Sequence, residues 1–215
     1  MKVLIIEGGS SAYGMHARDY GGWAAQLHRD AVLANEQRVL DPLVVTNHAV
    51  PGFTLTAINK RFLATNTPAR YCQTPDGTST RILSVGINES KIMPDMTSPI
   101  ITLQRFAAGL AMFSDHSSSI GMKVLYVGPQ PVDESKTRPS SDTAVILQND
   151  LIEQYAGLMR DQAAQAAELY VDVEAAFRPY PIESVTAFDG RHPNARGHQL
   201  IYHEVQAALG DIFTA

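Results

Sequence analysis

Apolar and polar positions follow two rhythms along this chain: short, mostly apolar runs, and longer stretches with an apolar residue every three or four positions. The short runs are Lys2 to Ile6, Pro42 to Thr46, Arg81 to Val85, Lys123 to Val127 and Leu169 to Val173, each followed by glycine, proline or polar residues. Runs of that length bounded by turn residues read as strands. The longer stretches read as helices: Tyr20 to about Leu33, with Trp23, Leu27 and Ala31 on one face, and Thr54 to about Ala64, with Leu55, Ile58 and Phe62. Pro99 to about Ser114 carries Leu103, Phe106, Leu110 and Phe113. A polar, proline-bearing loop then runs to about Ser141 and leads into a helix with Leu147, Leu151, Tyr155 and Leu158 on one face. Asn194 to Leu209 carries Ile201, Val205 and Leu209. Stripes at this spacing are core faces.

Strands apolar on both faces and separated by helices predict a parallel sheet covered on two sides. Right-handed crossovers then bring every strand's carboxyl end to the same edge. The expected architecture is a flavodoxin-like three-layer α/β/α fold with about five strands in the order 2-1-3-4-5. At 215 residues, with neither a repeat nor a visible boundary, the chain is expected to form one domain over 1–215.

Composition narrows the function classes. A net charge of -5 and the lack of a basic patch interleaved with aromatics argue against nucleic acid as a partner. No apolar run reaches membrane-spanning length, and the run after Met1 is too short for a signal peptide, so a cytoplasmic protein is expected. The single cysteine, Cys72, excludes an internal disulfide framework and reads as a buried or incidental thiol.

In open α/β sheets ligands bind beyond the carboxyl ends of the strands. The residues expected there are Ser10 after the first strand, Gly52 after the second, Asn88 after the third, and Asp189 and His192 beyond the fifth. A carboxylate and an imidazole three residues apart can serve one site, the Asp as orienter or water anchor and the His as general base. Ser10 supplies a hydroxyl, and Gly52 and Asn88 supply donors for an oxyanion, so the set contains the parts of acyl transfer.

Each part has a plainer alternative. Ser10 alone is more often a turn or helix cap than a nucleophile. The segment Gly8 to Gly14 lacks the spacing of a dinucleotide fingerprint. Met15-His16 stand where a phosphate loop needs Lys followed by Ser or Thr, and Ala12 stands where an α/β-hydrolase elbow needs Gly. His192, His198 and His203 are not at the spacing that stacks two metal ligands on a helix, and no metal site is expected. His198 and His203 read as exposed polar or capping residues, and His16 and His48 as loop histidines near the site. Met93 to Met96 and Ser135 to Arg138 read equally as a lid or pocket wall and as ordinary connecting loops.

Taken together, these positions resemble the SGNH or GDSL family of serine esterases and acylhydrolases. Gly8-Gly9-Ser10 with Gly14 is similar to the first block, followed by Gly21-Gly22-Trp23. Gly52 looks like the second-block glycine, Gly86-Ile87-Asn88-Glu89 like the third block, and Asp189 to Asn194 like the last. Gly128 to Glu134 is similar to the loop after the fourth strand in intracellular members. The chain departs from the family pattern at Gly9, usually Asp, and at Glu89, also usually Asp.

The resemblance implies Ser10 as nucleophile, His192 as general base and Asp189 as its orienter. It implies an oxyanion hole from the Ser10 and Gly52 N–H groups and the Asn88 side chain, with no metal or organic cofactor. The implied substrate is a small ester, a thioester or an acetylated sugar. A weakly active or inactive ligand-binding descendant, and a flavodoxin-like nucleotide or flavin protein, are the alternatives. Neither oligomeric state nor acyl-chain length follows from the sequence.

Overall fold

The computed structural model describes residues 1–18, 21–37, 42–65, 79–137 and 145–210. The apolar runs form five strands: β1 (Lys2–Gly8), β2 (Leu43–Asn47), β3 (Thr80–Ser84), β4 (Lys123–Val127) and β5 (Leu169–Val171). They make one parallel sheet in the order β2-β1-β3-β4-β5, the order expected. The longer helices are α2 (Gly22–Asn35), α3 (Leu55–Thr65), α4 (Leu103–Ser119), α5 (Asn149–Ala166) and α8 (Ala195–Leu209). Three short ones complete the set among the described residues: α1 (Ser10–Tyr13), α6 (Val173–Phe177) and α7 (Ile182–Val185).

The helices cover both faces of the sheet, which is why the strands need apolar residues on each side. On one face Trp23 and Leu27 of α2 and Ile201 and Val205 of α8 bury against Leu4, Ile6, Ile82 and Leu125. On the other, Phe106, Leu110 and Phe113 of α4 and Tyr155 and Met159 of α5 bury against Leu83, Val124 and Tyr126. Each such large side chain contributes roughly 1.5–3 kcal/mol through burial, so these two stripes hold the layers together. No described helix is long and apolar enough to cross a membrane.

Several boundaries differ from expectation, α4 starting at Leu103 and not Pro99 among them, and three of the differences have a plain local reason. Helix α4 continues past Ser114 to Ser119, where Ser117 is buried and donates from Oγ to the Phe113 carbonyl. Strand β5 stops at Val171 because Asp172 caps α6, accepting from the Ala175 N–H. The turn after β1 closes into the single-turn helix α1, beginning at Ser10. Cys72 and the chain around Ser141 lie outside the described residues, as does the Tyr20 start expected for α2.

Two charged strand residues, Glu7 of β1 and Arg81 of β3, are buried. Arg81 of β3 is fully buried, with its guanidinium 3.7 Å from the ring centres of both Phe62 and Phe113. Its Nε donates to Glu7 Oε2 at 3.0 Å, and Nη1 donates to Ser117 Oγ at 2.9 Å. A charge in this core is tolerable because it is paired and hydrogen-bonded. The pair ties β3 to the end of β1, directly before the turn that carries Ser10.

Candidate active site

Ser10 stands on a turn made by two glycines with different tasks. Gly8 ends β1 against the Ser84 backbone, where a side chain would collide. Gly9 has φ -94° and ψ -150°, a conformation open to any residue, so its lack of a side chain has another cause. A β-carbon there would sit 2.6 Å from Asn88 Nδ2. The turn is held by the Gly9 N–H to Ser84 O, and by the Tyr13 and Gly14 N–H groups to Gly9 O and Ser10 O.

The last block folds into a left-handed turn at Gly190, φ 70°, which lets Asp189 and His192 face the same side. Its neighbours hold it closely. Gly190 O accepts from Asp133 N at 2.7 Å, Arg191 O from the buried Gln130 Nε2 at 2.8 Å, and His192 O from Ala187 N at 2.7 Å. Asn194 closes the segment: its Oδ1 caps α8 through Gly197 N, and its Nδ2 donates to the Ser184 and Thr186 carbonyls. Helices α6 and α7, invisible in the apolar pattern because they are so short, carry the chain from β5 to this turn.

Ser10, His192 and Asp189 meet in line. His192 Nε2 lies 2.8 Å from Ser10 Oγ, and His192 Nδ1 lies 2.5 Å from Asp189 Oδ2. Asp189 Oδ1 accepts from the Arg191 and His192 amides, both at 3.1 Å, and Oδ2 also accepts from Arg191 Nε at 3.2 Å. Burial works against the Asp189 charge. The hydrogen bonds from the His192 ring and from the His192 and Arg191 amides outweigh it and hold the carboxyl far below its ordinary range. An ionised Asp189 keeps the proton of the neutral imidazole on Nδ1, leaving the Nε2 lone pair toward Ser10.

Asn88 lies beside the turn. With Ser10, Ser11, Ser84, Val85, Ile87, Pro129 and Gln130 it lines a narrow cavity of 20 Å³. Its Nδ2 donates to Phe53 O at 2.7 Å, and its Oδ1 accepts from Lys91 Nζ at 2.6 Å. Gly52, at φ 83°, precedes the residue whose carbonyl holds Asn88, although it is not among those lining the cavity. Neither the Ser10 nor the Gly52 N–H donates to a protein acceptor among the described residues.

Several secondary expectations need revision. His198 is not exposed: it is 1% accessible, and its Nε2 meets the Met15 carbonyl at 3.0 Å. Burial lowers its pKa to about 4, so it is neutral and donates from Nε2. That bond pins the loop carrying His16, whose Nε2 reaches 3.5 Å from Asp189 Oδ2. His203 is exposed as expected, beside Gln199. Burial also lowers His48, whose carbonyl accepts from Arg61 Nη1. Lys136 and Asp133 lie against Gly190, and Ser135 donates to Asp133 Oδ1, while Arg138 lies outside the described residues. Pro94, Asp95 and Met96 are exposed.

Lys91 escaped the motif reading, and the partners of Glu89 and His16 were not visible in it. Glu89 is fully buried, and its two oxygens accept from Leu55 N at 2.5 Å and Gly86 N at 2.8 Å, joining α3 to the loop after β3. Burial raises its pKa and the amides oppose that shift. Among the described residues His16, Asp189 and His192 bring ligand-type atoms within 4.8 Å of one another. Their shared Asp189 Oδ2 already accepts from His192 and from the Arg191 guanidinium, which would repel a cation.

Comparison with known proteins bears on the family and the fold. Residues 6–200 match the model of the GDSL-like lipase/acylhydrolase family. No curated protein matches the sequence. Among solved structures, the acetylxylan esterase Axe2 from Geobacillus stearothermophilus is 18% identical with a TM-score of 0.75, over 99% of this chain and 96% of that one. A lipase/acylhydrolase from Enterococcus faecalis is also 18% identical, with a TM-score of 0.70 over 99% and 96%. LAE5, an alpha/beta hydrolase enzyme from the metagenome of Lake Arreo, Spain, is 20% identical, with a TM-score of 0.71 over 97% and 94%. At such identities these structures share the fold.

Proposed function

Because the chain belongs to the GDSL-like lipase/acylhydrolase family, we propose that it is a serine hydrolase whose Ser10 attacks a carboxylic ester or thioester. The observation that carries this reading is the unbroken line from Asp189 Oδ2 to His192 to Ser10 Oγ, with steps of 2.5 and 2.8 Å. Ser10 Oγ adds to the substrate carbonyl while its proton passes to His192 Nε2. The oxyanion so formed is stabilised by the Ser10 and Gly52 N–H groups and by Asn88 Nδ2. Collapse expels the alcohol or thiol, which takes the proton from His192 and leaves an acyl-serine. Water, deprotonated by the same imidazole, then releases the acid. Asp189 orients the ring and offsets the imidazolium charge at each transfer.

The cavity beside Ser10 supports a small acyl group. Its 20 Å³ admits about one water-sized group. A space of that size, with Ile87 and Pro129 among its lining residues, favours an acetyl group over a long chain. Wider clefts of 310 and 370 Å³ beyond Pro131 are lined by none of Ser10, Asn88 and His192. The same narrowness favours a second reading, removal of O-acetyl groups from a carbohydrate, in keeping with the acetylxylan esterase among the similar structures.

The test is a p-nitrophenyl ester series from acetate to palmitate, run beside acetylated xylooligosaccharides and acyl-CoA. Acetyl compounds should give the highest kcat/KM, with turnover lost in Ser10→Ala. Absence of turnover on every substrate would sink the hydrolase reading, and a palmitate optimum would sink the small-acyl one.

A further inference from the structure

We propose that Lys91 is a positioning residue for the oxyanion hole, holding and polarising the Asn88 amide; this rests on the hydrolase reading above. A carboxamide presents either its N–H or its oxygen, and only its partners decide which. An ammonium can only donate and a carbonyl can only accept. Lys91 Nζ, 2.6 Å from Asn88 Oδ1, therefore fixes the oxygen on its own side, while Phe53 O takes one Nδ2 hydrogen at 2.7 Å. That leaves Nδ2 beside the Gly9-Ser10 turn, with a second hydrogen to offer an oxyanion formed at Ser10. A reversed amide would present a lone pair to an oxyanion and repel it.

Lys91 is itself held in place. Its carbonyl accepts from Ile100 N at 2.8 Å, and the next residue, Ile92, exchanges two backbone hydrogen bonds with Ile146, at 3.0 and 2.9 Å. The side chain is only partly exposed, so water screens its charge incompletely. A charge-assisted hydrogen bond of this kind is about twice as strong as a neutral one. It draws electron density toward Oδ1, making Nδ2–H a better donor when negative charge develops. The effect grows in the transition state, so it belongs in kcat rather than KM.

The experiment is a double-mutant cycle on ester turnover with Lys91→Met, Asn88→Ala and the pair, plus Lys91→Arg. Rates are expressed per active site counted by end-point titration with a fluorophosphonate, so partial unfolding does not distort them. Lys91→Met should lower kcat roughly tenfold with KM within about twofold, and Lys91→Arg should restore most of the loss. Adding Lys91→Met to Asn88→Ala should change kcat by less than about twofold, since the amide through which Lys91 acts is gone. Equal losses in both backgrounds, a change confined to KM, or an unchanged kcat would overturn the proposal. Inactivity of the unmutated protein on all esters would overturn the hydrolase reading instead.

Discussion

Replacing Gly9 by Ala tests whether the narrow space beside Ser10 is functional. The backbone at Gly9, with φ -94°, accepts alanine without strain, so any effect comes from the added methyl. That methyl would lie 2.6 Å from Asn88 Nδ2, and Nδ2 must retreat by about 0.8 Å to reach ordinary contact at 3.4 Å. The amide is not free to yield, being held by Phe53 O at 2.7 Å and by Lys91 at 2.6 Å. A displacement near 1 Å in catalytic geometry costs about a hundredfold, approaching the roughly 10²–10³ lost when an oxyanion donor is deleted. We expect Gly9→Ala to lower kcat by about 10² with KM little changed. The bulkier Gly9→Asp, although it recreates the usual family residue, should be no better.

The assay is steady-state hydrolysis of p-nitrophenyl acetate, with Asn88→Ala and the double variant measured alongside. If the methyl acts by moving Asn88, the double variant should be no slower than Asn88→Ala. Wild-type kcat in Gly9→Ala would refute the reasoning, as would a loss fully additive with Asn88→Ala.

Three further perturbations probe separate parts of the account. Asp189→Asn should lower kcat by about 10³–10⁴ in the same assay, because the amide lets the imidazole settle in the wrong tautomer. Glu89→Ala strands the buried Leu55 and Gly86 N–H groups and should cost roughly 2–5 kcal/mol in denaturant unfolding, with Glu89→Gln costing less. His198 titrates near 4 when folded against 6.5 in its ordinary state, so between those values the unfolded chain binds the extra proton. Its contribution, about 3 kcal/mol, is complete above pH 6.5 and declines as pH falls toward 4. His198→Gln should flatten that part of the stability–pH curve; an unchanged slope would show that other groups control it.

How much of this was legible in the sequence depended on whether a signal was local. Lys123 to Val127 reads as a strand to the residue because its neighbours, Gly121 and Gly128, punctuate it on both sides. Asn194 was visible as a helix start because capping is a short-range preference. Ser10, Asn88, Asp189 and His192 could be placed on one edge because parallel topology alone sends strand ends there.

Long-range partnerships were not legible. Arg81 was read as part of an apolar strand, since its partner Glu7 lies 74 positions away. His198 looked like a surface residue because its partner, the Met15 carbonyl, is 183 positions distant. Gly9 looked like the loss of a useful side chain, whereas the fold places Asn88 against it. Lys91 is only three residues from Asn88, but the pair lies in a turn outside any helix, where no periodic pattern points to it. The short helices α6 and α7 have too few turns to show a period at all.

The central claim is that Ser10 is the nucleophile activated by His192. Labelling the protein with a fluorophosphonate, followed by intact-mass and peptide analysis, tests it most directly. The account predicts one adduct, on Ser10, none on Ser10→Ala, and much slower labelling of His192→Ala. Labelling of Ser10→Ala to the same extent, or failure of the unmutated protein to react, would contradict it.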